Sequence, residues 1–300
     1  MTEPTIISAE NIVKRYGDVE AVRGIDFKVE RARCIGLLGP NGAGKTSTMR
    51  MIMGLSTVTA GRLTVFGTPV QEMDRATKAR IGLVPQEDNL DPDITVRENL
   101  EVYGRYFGIA RSVVAERVPR LLEFMQLGQK TDAQVLQLSG GMKRRLVIAR
   151  GLIADPELIV LDEPTTGLDP QARVMIWRRL LELKNEGKTL LLTTHYMDEA
   201  ERLCDRIIVI DYGTILDEGS PRELIGRHVK GHVIEVQKPV PEKLANGKWD
   251  CEDLGDAILY YVQSPADLVP KLPDEAVYKH RPANLEDVFL RLTGRKLREA

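Results

Sequence analysis

Residues 39–46 read GPNGAGKT, directly after the apolar run CIGLL and directly before a helical pattern. The spacing G-x-x-x-x-G-K-[ST] is that of a phosphate-binding loop, and its flanks are the strand and helix such a loop needs. Within Gly39, Pro40, Asn41, Gly42, Ala43 and Gly44 the glycines let the backbone curl, so that consecutive amides point inward at phosphate oxygens. The helix that follows adds the positive end of its dipole. Lys45 is placed to reach the β- and γ-phosphates of a nucleotide, and the Thr46 hydroxyl can ligate Mg²⁺.

A second chemical element is LIVLDEP (158–164), a buried strand that delivers Asp162 and Glu163 at its carboxyl end. Open α/β sheets place their ligands at that end. The two acids can divide the work: Asp162 holds a metal through its hydration shell, and Glu163 polarises an attacking water. Read alone, they are two acids at a strand-to-loop junction; beside the loop at 39–46 they form a phosphoryl-transfer pair. His195 ends TLLLTTH, Gln86 follows IGLVP, and Tyr16 lies in VKRYGD, where its ring could stack on an adenine or pack at a strand end. None of these three carries a reading by itself.

The stretch LSGGM (138–142) has two adjacent glycines after a serine. That is a poor strand or helix interior, but a good helix start. Ser139 can N-cap, and Gly140 and Gly141 leave amides accessible at the positive helix end. Met142, Leu146, Ala149 and Ile153 give the helix an inner face. Lys143, Arg144, Arg145 and Arg150 then fall on other faces and read as a solvated side rather than as nucleic-acid contacts.

Short apolar runs must position these groups. TIISAENIVKRYG and EAVRGIDFKVE alternate like half-buried strands, and CIGLLG (34–39), ARIGLVPQ (79–86), LIVLDEP, TLLLTTH and DRIIVID (205–211) are buried or half-buried runs with helical stretches between them. The alternation predicts a mainly parallel sheet wrapped by helices. From about 87 to 157 the texture is helical, an inserted lobe. There Thr95 and Glu98 form a capping box ahead of an apolar face of Val96, Leu100, Tyr103 and Phe107. Asp169 N-caps a further helix, with Pro170 first, Val174, Trp177 and Leu181 inward and Gly187 as terminator. The chain breaks again at GSPRELIGRHVKG (219–231). Beyond it, VIEVQ, AILYYVQ and AVYKHR read as short strands, and PANLEDVFLRLTG as a helix capped by Asn284 with Asp287 three residues on. The expected division is 1–228 and a small α+β appendage, 229–300.

Composition excludes several classes. With 43% hydrophobic and 29% charged residues and a net charge of −2, the chain is an ordinary globular protein without the basic field of a nucleic-acid binder. Cys34, Cys204 and Cys251 are far apart and form no CxxC pair, which argues against a disulfide framework or a zinc site and suits a reducing cytosol. The start, MTEPTIISAE, has no basic n-region and apolar run of a signal peptide. No apolar run approaches the length of a membrane span.

Taken in order, Tyr16, the loop 39–46, Gln86, LSGGM, LIVLDE, GLDP (167–170) and His195 resemble the nucleotide-binding subunit of an ATP-binding-cassette (ABC) transporter over residues 5–225. The resemblance implies a P-loop NTPase core with an antiparallel β portion, ATP hydrolysis, and ATP and Mg²⁺ as cofactors. It implies that Tyr16 stacks on adenine, that Gly42, Gly44, Lys45, Thr46 and Ser47 bind phosphates, and that Thr46 and Gln86 ligate the metal. Glu163 would be the general base and His195 a sensor of the γ-phosphate. Ser139 and Gly141 would bind the γ-phosphate held by a second ATP-binding subunit, most simply a second copy of this chain. Met142 stands where glutamine is commonest. With TTHYMDEAERLCD and LEDVFLRLTG, it is similar to exporters of the daunorubicin-resistance and nodulation-factor type, whose cargoes are drugs, lipo-oligosaccharides or other amphipathic molecules. The permease there is a separate membrane chain, so this subunit would sit peripherally on the cytoplasmic side of the membrane. A cassette ATPase acting on ribosomes or DNA is the alternative; one cassette, no heptads and no CxxC pairs weigh against it.

Overall fold

A computed structural model describes residues 5–240, Leu244 and residues 249–294. Residues 1–4, on which the reading of the chain start partly rests, lie outside the described residues. Two compact units are formed, residues 1–218 and 219–300.

The first unit begins with β1 (Thr5–Tyr16) and β2 (Val19–Glu30), followed by β3 (Cys34–Leu38) and α1 (Lys45–Ile52). Next come β4 (Ala60–Val65), β5 (Thr68–Pro69), α2 (Arg75–Ala79) and β6 (Ile81–Val84). The inserted helical lobe follows as α3 (Val96–Tyr106), α4 (Arg111–Phe124) and α5 (Gly140–Leu152). The unit closes with β7 (Leu158–Asp162), α6 (Pro170–Asn185), β8 (Thr189–Thr194), α7 (Met197–Leu203), β9 (Arg206–Asp211) and β10, which runs Thr214–Gly219.

Two sheets result. β2-β1-β4-β5 is antiparallel; Val22, Ile25, Phe27 and Val29 of β2 enter the core while Arg23, Asp26 and Lys28 between them stay exposed, the alternation of a half-buried sheet. The larger sheet has the order β10-β9-β3-β8-β7-β6, with β6, β7, β8, β3 and β9 parallel. Its central strands are covered on both faces, so β3 and β8 are buried at every position. This is why their sequences are apolar without alternation.

In the lobe, Thr95 accepts from the Glu98 amide at 3.2 Å and Glu98 Oε2 accepts from the Thr95 amide at 2.8 Å, the expected capping box. Val96 and Leu100 are fully buried, while Tyr103 and Phe107 only border that face. Gly104 is buried instead, because a Cβ there would lie 2.7 Å from Val114 Cγ2; its absence lets α3 approach α4. On α6 the buried stripe is Ile176, Trp177, Leu180 and Leu183, and the expected Val174 and Leu181 are half-buried. The Trp177 indole donates at 2.9 Å to Glu199, and that anchor sets the helix rotation.

The second unit contains α8 (Pro221–His228), β11 (His232–Gln237), β12 (Cys251–Asp253), β13 (Ala257–Val262), β14 (Tyr278–Pro282) and α9 (Leu285–Thr293). Its sheet is antiparallel in the order β12-β13-β11-β14, with Ile234, Val236, Tyr260, Val262 and Leu268 in one apolar cluster. The stretch read as a break is a helix: Ser220 and Glu223 cap α8 reciprocally, and α8 packs on α9. The unit boundary therefore precedes α8. Asn284 caps α9 as expected, and buried Asp287 takes a two-bond fork from Arg281 at 2.6 and 2.7 Å.

Candidate active site

β6, β7, β8 and β3 lie side by side and parallel, so their carboxyl ends open onto one edge. The loop at 39–46 leaves β3, His195 leaves β8, Glu163 leaves β7, and Gln86 follows β6 by two residues. One sheet edge thus gathers four segments that the sequence scatters from Gly39 to His195.

The loop is held by close packing at its glycines. A Cβ on Gly39 would lie 2.1 Å from the Ile210 carbonyl oxygen. Gly44 has φ +104, and a Cβ there would lie 2.5 Å from the Ala21 carbonyl oxygen. α1 begins at Lys45, so the first amides of the helix have no partner within it. Lys45 is buried and donates from Nζ to the loop's own Gly39 and Pro40 carbonyls at 2.7 and 2.9 Å. Burial lowers its pKa, and the charges of Glu163 and Asp162 oppose that shift. Thr46 Oγ1 lies 3.4 Å from Asp162 Oδ2, with Gln86, Asp162 and Thr46 lining a groove of about 310 Å³.

The two acids are tied together by a residue that sequence reading passed over. Thr193 Oγ1 donates to Asp162 Oδ1 at 2.5 Å and accepts from the Glu163 amide at 3.0 Å. Glu163 has φ +46, a left-handed conformation that costs energy for any residue but glycine, and Thr193 helps hold it there. Glu163 is 8% exposed. Thr166 Oγ1 donates to Oε2 at 3.0 Å, and Gln86 Nε2 to the same oxygen at 3.4 Å. His195 Nδ1 stands 3.3 Å from Oε1, in ion-pair range but without hydrogen-bond alignment. His195 holds the Glu163 carboxyl below the usual carboxylate pKa, aided by Thr166 and Lys45 against the cost of burial.

Tyr16 lies at the mouth of this edge, 45% exposed, with its hydroxyl 3.4 Å from Ser56 Oγ. Ser56 pulls its pKa down, with Ser47, Lys14 and Arg50 acting the same way against desolvation. Ser139 N-caps α5, accepting from the Met142 amide at 3.3 Å. Ser139 and Gly140 are exposed, and a Cβ on Gly141 would lie 3.3 Å from Ala172 Cβ near the start of α6. Among the described residues, Ser139, Gly140 and Gly141 make no hydrogen bond to the sheet-edge group. One chain therefore assembles the loop, Gln86, Asp162, Glu163 and His195, and leaves the LSGGM helix start outside that group.

Over nearly its whole length the chain is similar to Nod factor export ATP-binding protein I of Cupriavidus metallidurans, 51% identical over 300 residues (98% of this chain, 99% of the relative). This chain belongs to the ABC transporter family. The family described as "ABC transporter" matches residues 22–166, and "Nodulation factor export protein NodI, C-terminal domain" matches residues 241–294. A second Nod factor export ATP-binding protein I, from Burkholderia pseudomallei, is 51% identical over 297 residues, 97% of this chain and 98% of the relative. Among solved structures, cbiO1 from Clostridium perfringens, part of the ABC transporter complex cbiONQ, superposes with a TM-score of 0.69 at 27% identity, covering 75% of this chain and 92% of that one. A dimeric ATP-binding cassette in a post-hydrolysis state with ADP and Pi gives 0.65 at 26% identity, covering 72% and 98%. The fold is thus the P-loop NTPase core of ABC ATPases, and the chain is the ATP-binding, ATP-hydrolysing subunit of an export-type ABC transporter. Among its described residues, no helix is long and apolar enough to cross a membrane.

Within this ABC subunit three of the four basic residues of α5, Arg144, Arg145 and Arg150, depart from the solvated side expected of them. Arg144 and Arg150 are 4% and 6% exposed. Arg150 donates to the Asp88 and Asn89 carbonyls, and Arg145 to those of Met125 and Gln126 at 3.1 and 3.2 Å. The irregular backbone around the site leaves buried carbonyls that secondary structure does not use, and guanidinium groups satisfy them. Glu199 is a second residue sequence reading missed: it is fully buried and accepts from Thr165 Oγ1 at 2.8 Å and from Trp177 Nε1. One of the three acids in DEAE (198–201) gives no signal of that role.

Proposed function

We propose that this chain hydrolyses ATP at Glu163 and that a second copy completes each site. Tyr16 offers its ring to the adenine. The loop amides from Gly39 to Gly44 and the start of α1, including Ser47, receive phosphate oxygens, and Lys45 exchanges its bonds to the Gly39 and Pro40 carbonyls for the β- and γ-phosphates. Thr46, Asp162 and Gln86 offer only oxygen donors toward one groove, the hard donor set that suits Mg²⁺. The metal would neutralise charge on the β- and γ-phosphates. Glu163 takes a proton from the water that attacks the γ-phosphorus as the bond to the ADP oxygen breaks. His195 sits beside that carboxylate and is placed to register the γ-phosphate. Ser139, Gly140 and Gly141 of the second copy present amides to the far side of the γ-phosphate.

The observation that carries this reading is the strained Glu163, set among Gln86, Thr166 and His195 on the sheet edge that holds Lys45. The dimeric cassette structure, a neighbour of this fold, supports the two-copy arrangement. The first unit then works as the nucleotide-binding domain and the second, residues 219–300, as an accessory region. The names of the relatives support export of a Nod-factor-type cargo; the proposal extends this to a lipo-oligosaccharide or similar amphipathic molecule passed through a separate permease, with this subunit peripheral on the cytoplasmic face. Glu163→Gln should bind ATP like the parent and turn over about 10²- to 10⁴-fold more slowly. Parent-like turnover in that variant would remove Glu163 from the role.

A further inference from the structure

Arg144 lies on α5, five residues after Ser139, and is 4% exposed. Nε donates to the Pro164 carbonyl at 2.7 Å. Nη1 donates to the Pro85 carbonyl and, at 3.2 Å, to that of Gln86. Nη2 donates to the Asp162 and Glu163 carbonyls at 3.0 and 3.2 Å. One side chain on the LSGGM helix thus grips the backbone of the metal-side glutamine and of both acids. The guanidinium fork is planar and rigid, so these carbonyls are held in fixed relation to α5. Burial lowers the Arg144 pKa, and the charges of Asp88, Glu199, Asp162 and Glu163 oppose that shift.

We propose that Arg144 is a positioning residue that couples the two ATP sites of the dimer. The inference rests on the composite-site reading above. In a dimer, the N-terminus of α5 meets the nucleotide held by the partner, whereas Gln86 and Glu163 serve the nucleotide held by the chain's own loop. Arg144 is a direct polar link between those two ends. A displacement of α5 as it engages the partner's γ-phosphate is carried through the fork to the Gln86 and Glu163 backbone. Glu163 is responsive to that displacement, because its left-handed backbone is held by its surroundings and not by preference. Each site thereby reports its occupancy to the other's base.

The test uses the full chain and two variants, Arg144→Lys and Arg144→Gln, with ATP binding by the single subunit, steady-state ATPase activity and its Hill coefficient as readouts. Binding should stay parent-like while kcat falls about 10- to 100-fold, the cost of a small misplacement at a reacting centre. The Hill coefficient should drop from near two to near one, since two coupled sites set its upper bound. Variants that keep the parent's kcat and Hill coefficient overturn the proposal. So does joint loss of binding and turnover in both variants, which marks a merely structural role. A parent Hill coefficient of one, with kcat still lost in the variants, contradicts coupling and leaves Arg144 as a positioning residue for its own site only. Failure of the composite site itself reads differently: Ser139→Arg would then turn over ATP like the parent.

Discussion

Glu199 is a carboxyl with no exposure to water, three elements meeting around it. Thr165 follows Glu163 by two residues, Trp177 lies on α6, and Glu199 itself opens α7 just after His195. Burial raises its pKa above the ordinary 4.5, and Thr194, Thr165 and Trp177 oppose the rise. A carboxyl whose folded pKa is raised is stabilising in its protonated form, so its contribution is largest below pH 4.5 and declines as pH rises through the folded value. Glu199→Gln removes the charge and keeps an acceptor for Thr165 and Trp177. The variant's melting temperature should therefore gain on the parent's as pH rises from acid to mildly alkaline, by about 2–4 °C per kcal/mol relieved. A difference that shrinks with rising pH would contradict the assignment. Neither Glu199 nor Arg144 was legible in the sequence, for the same reason. Charged residues at helical spacing look like a solvated face, and only the tertiary arrangement shows that irregular backbone and an indole need partners there. The residues carried by rigid motifs were legible: GPNGAGKT, Asp162, Glu163 and His195 all arrive at one edge.

At the scale of elements, the site depends on four parallel strands keeping their register. Leu38 pairs with Thr194 and Asp162 with Thr193, which fixes the depth at which each loop leaves the sheet. Those strands were readable because burial on both faces demands continuous apolar runs, whereas helix rotation (α6) and the capped α8 depend on a tryptophan anchor and a Ser-Pro start that pattern reading underweighted. The amino end of β7 is held by a clamp. Glu157 accepts from Arg80 and Arg31, each at 2.6 Å. Hydrogen bonds from Arg80 and Arg31 bring its pKa down to about 2 from 4.5. A depressed carboxylate stabilises the fold above its unfolded value and loses that contribution as pH falls from 4.5 through about 2. The side chain is 36% exposed, so screening reduces the effect to about 1 kcal/mol, or about 2–4 °C. Glu157→Gln should lower the melting temperature by that amount at neutral pH and match the parent near pH 2. An equal deficit at both pH values would point to lost packing instead.

At the scale of the whole molecule, the nucleotide-handling groups lie in the first unit, and the second, 219–300, has its own sheet, apolar cluster and Arg281–Asp287 fork. On the proposed reading one copy of the first unit is half an enzyme: the loop and Glu163 lie on one edge, and a capped helix start with exposed Ser139 and Gly140 makes no hydrogen bond to them among the described residues. The physics of LSGGM specifies an anion-ready helix end, and the proposed function takes the anion to be the nucleotide of a second copy. Sedimentation of the full-length Glu163→Gln chain, with and without saturating MgATP, tests this most directly, alongside the same chain carrying Ser139→Arg. The account predicts a monomer without nucleotide and a dimer with ATP for Glu163→Gln, and a monomer that still binds ATP for the double variant. A Glu163→Gln chain that stays monomeric at saturating ATP, or a double variant that dimerises as readily, would contradict it.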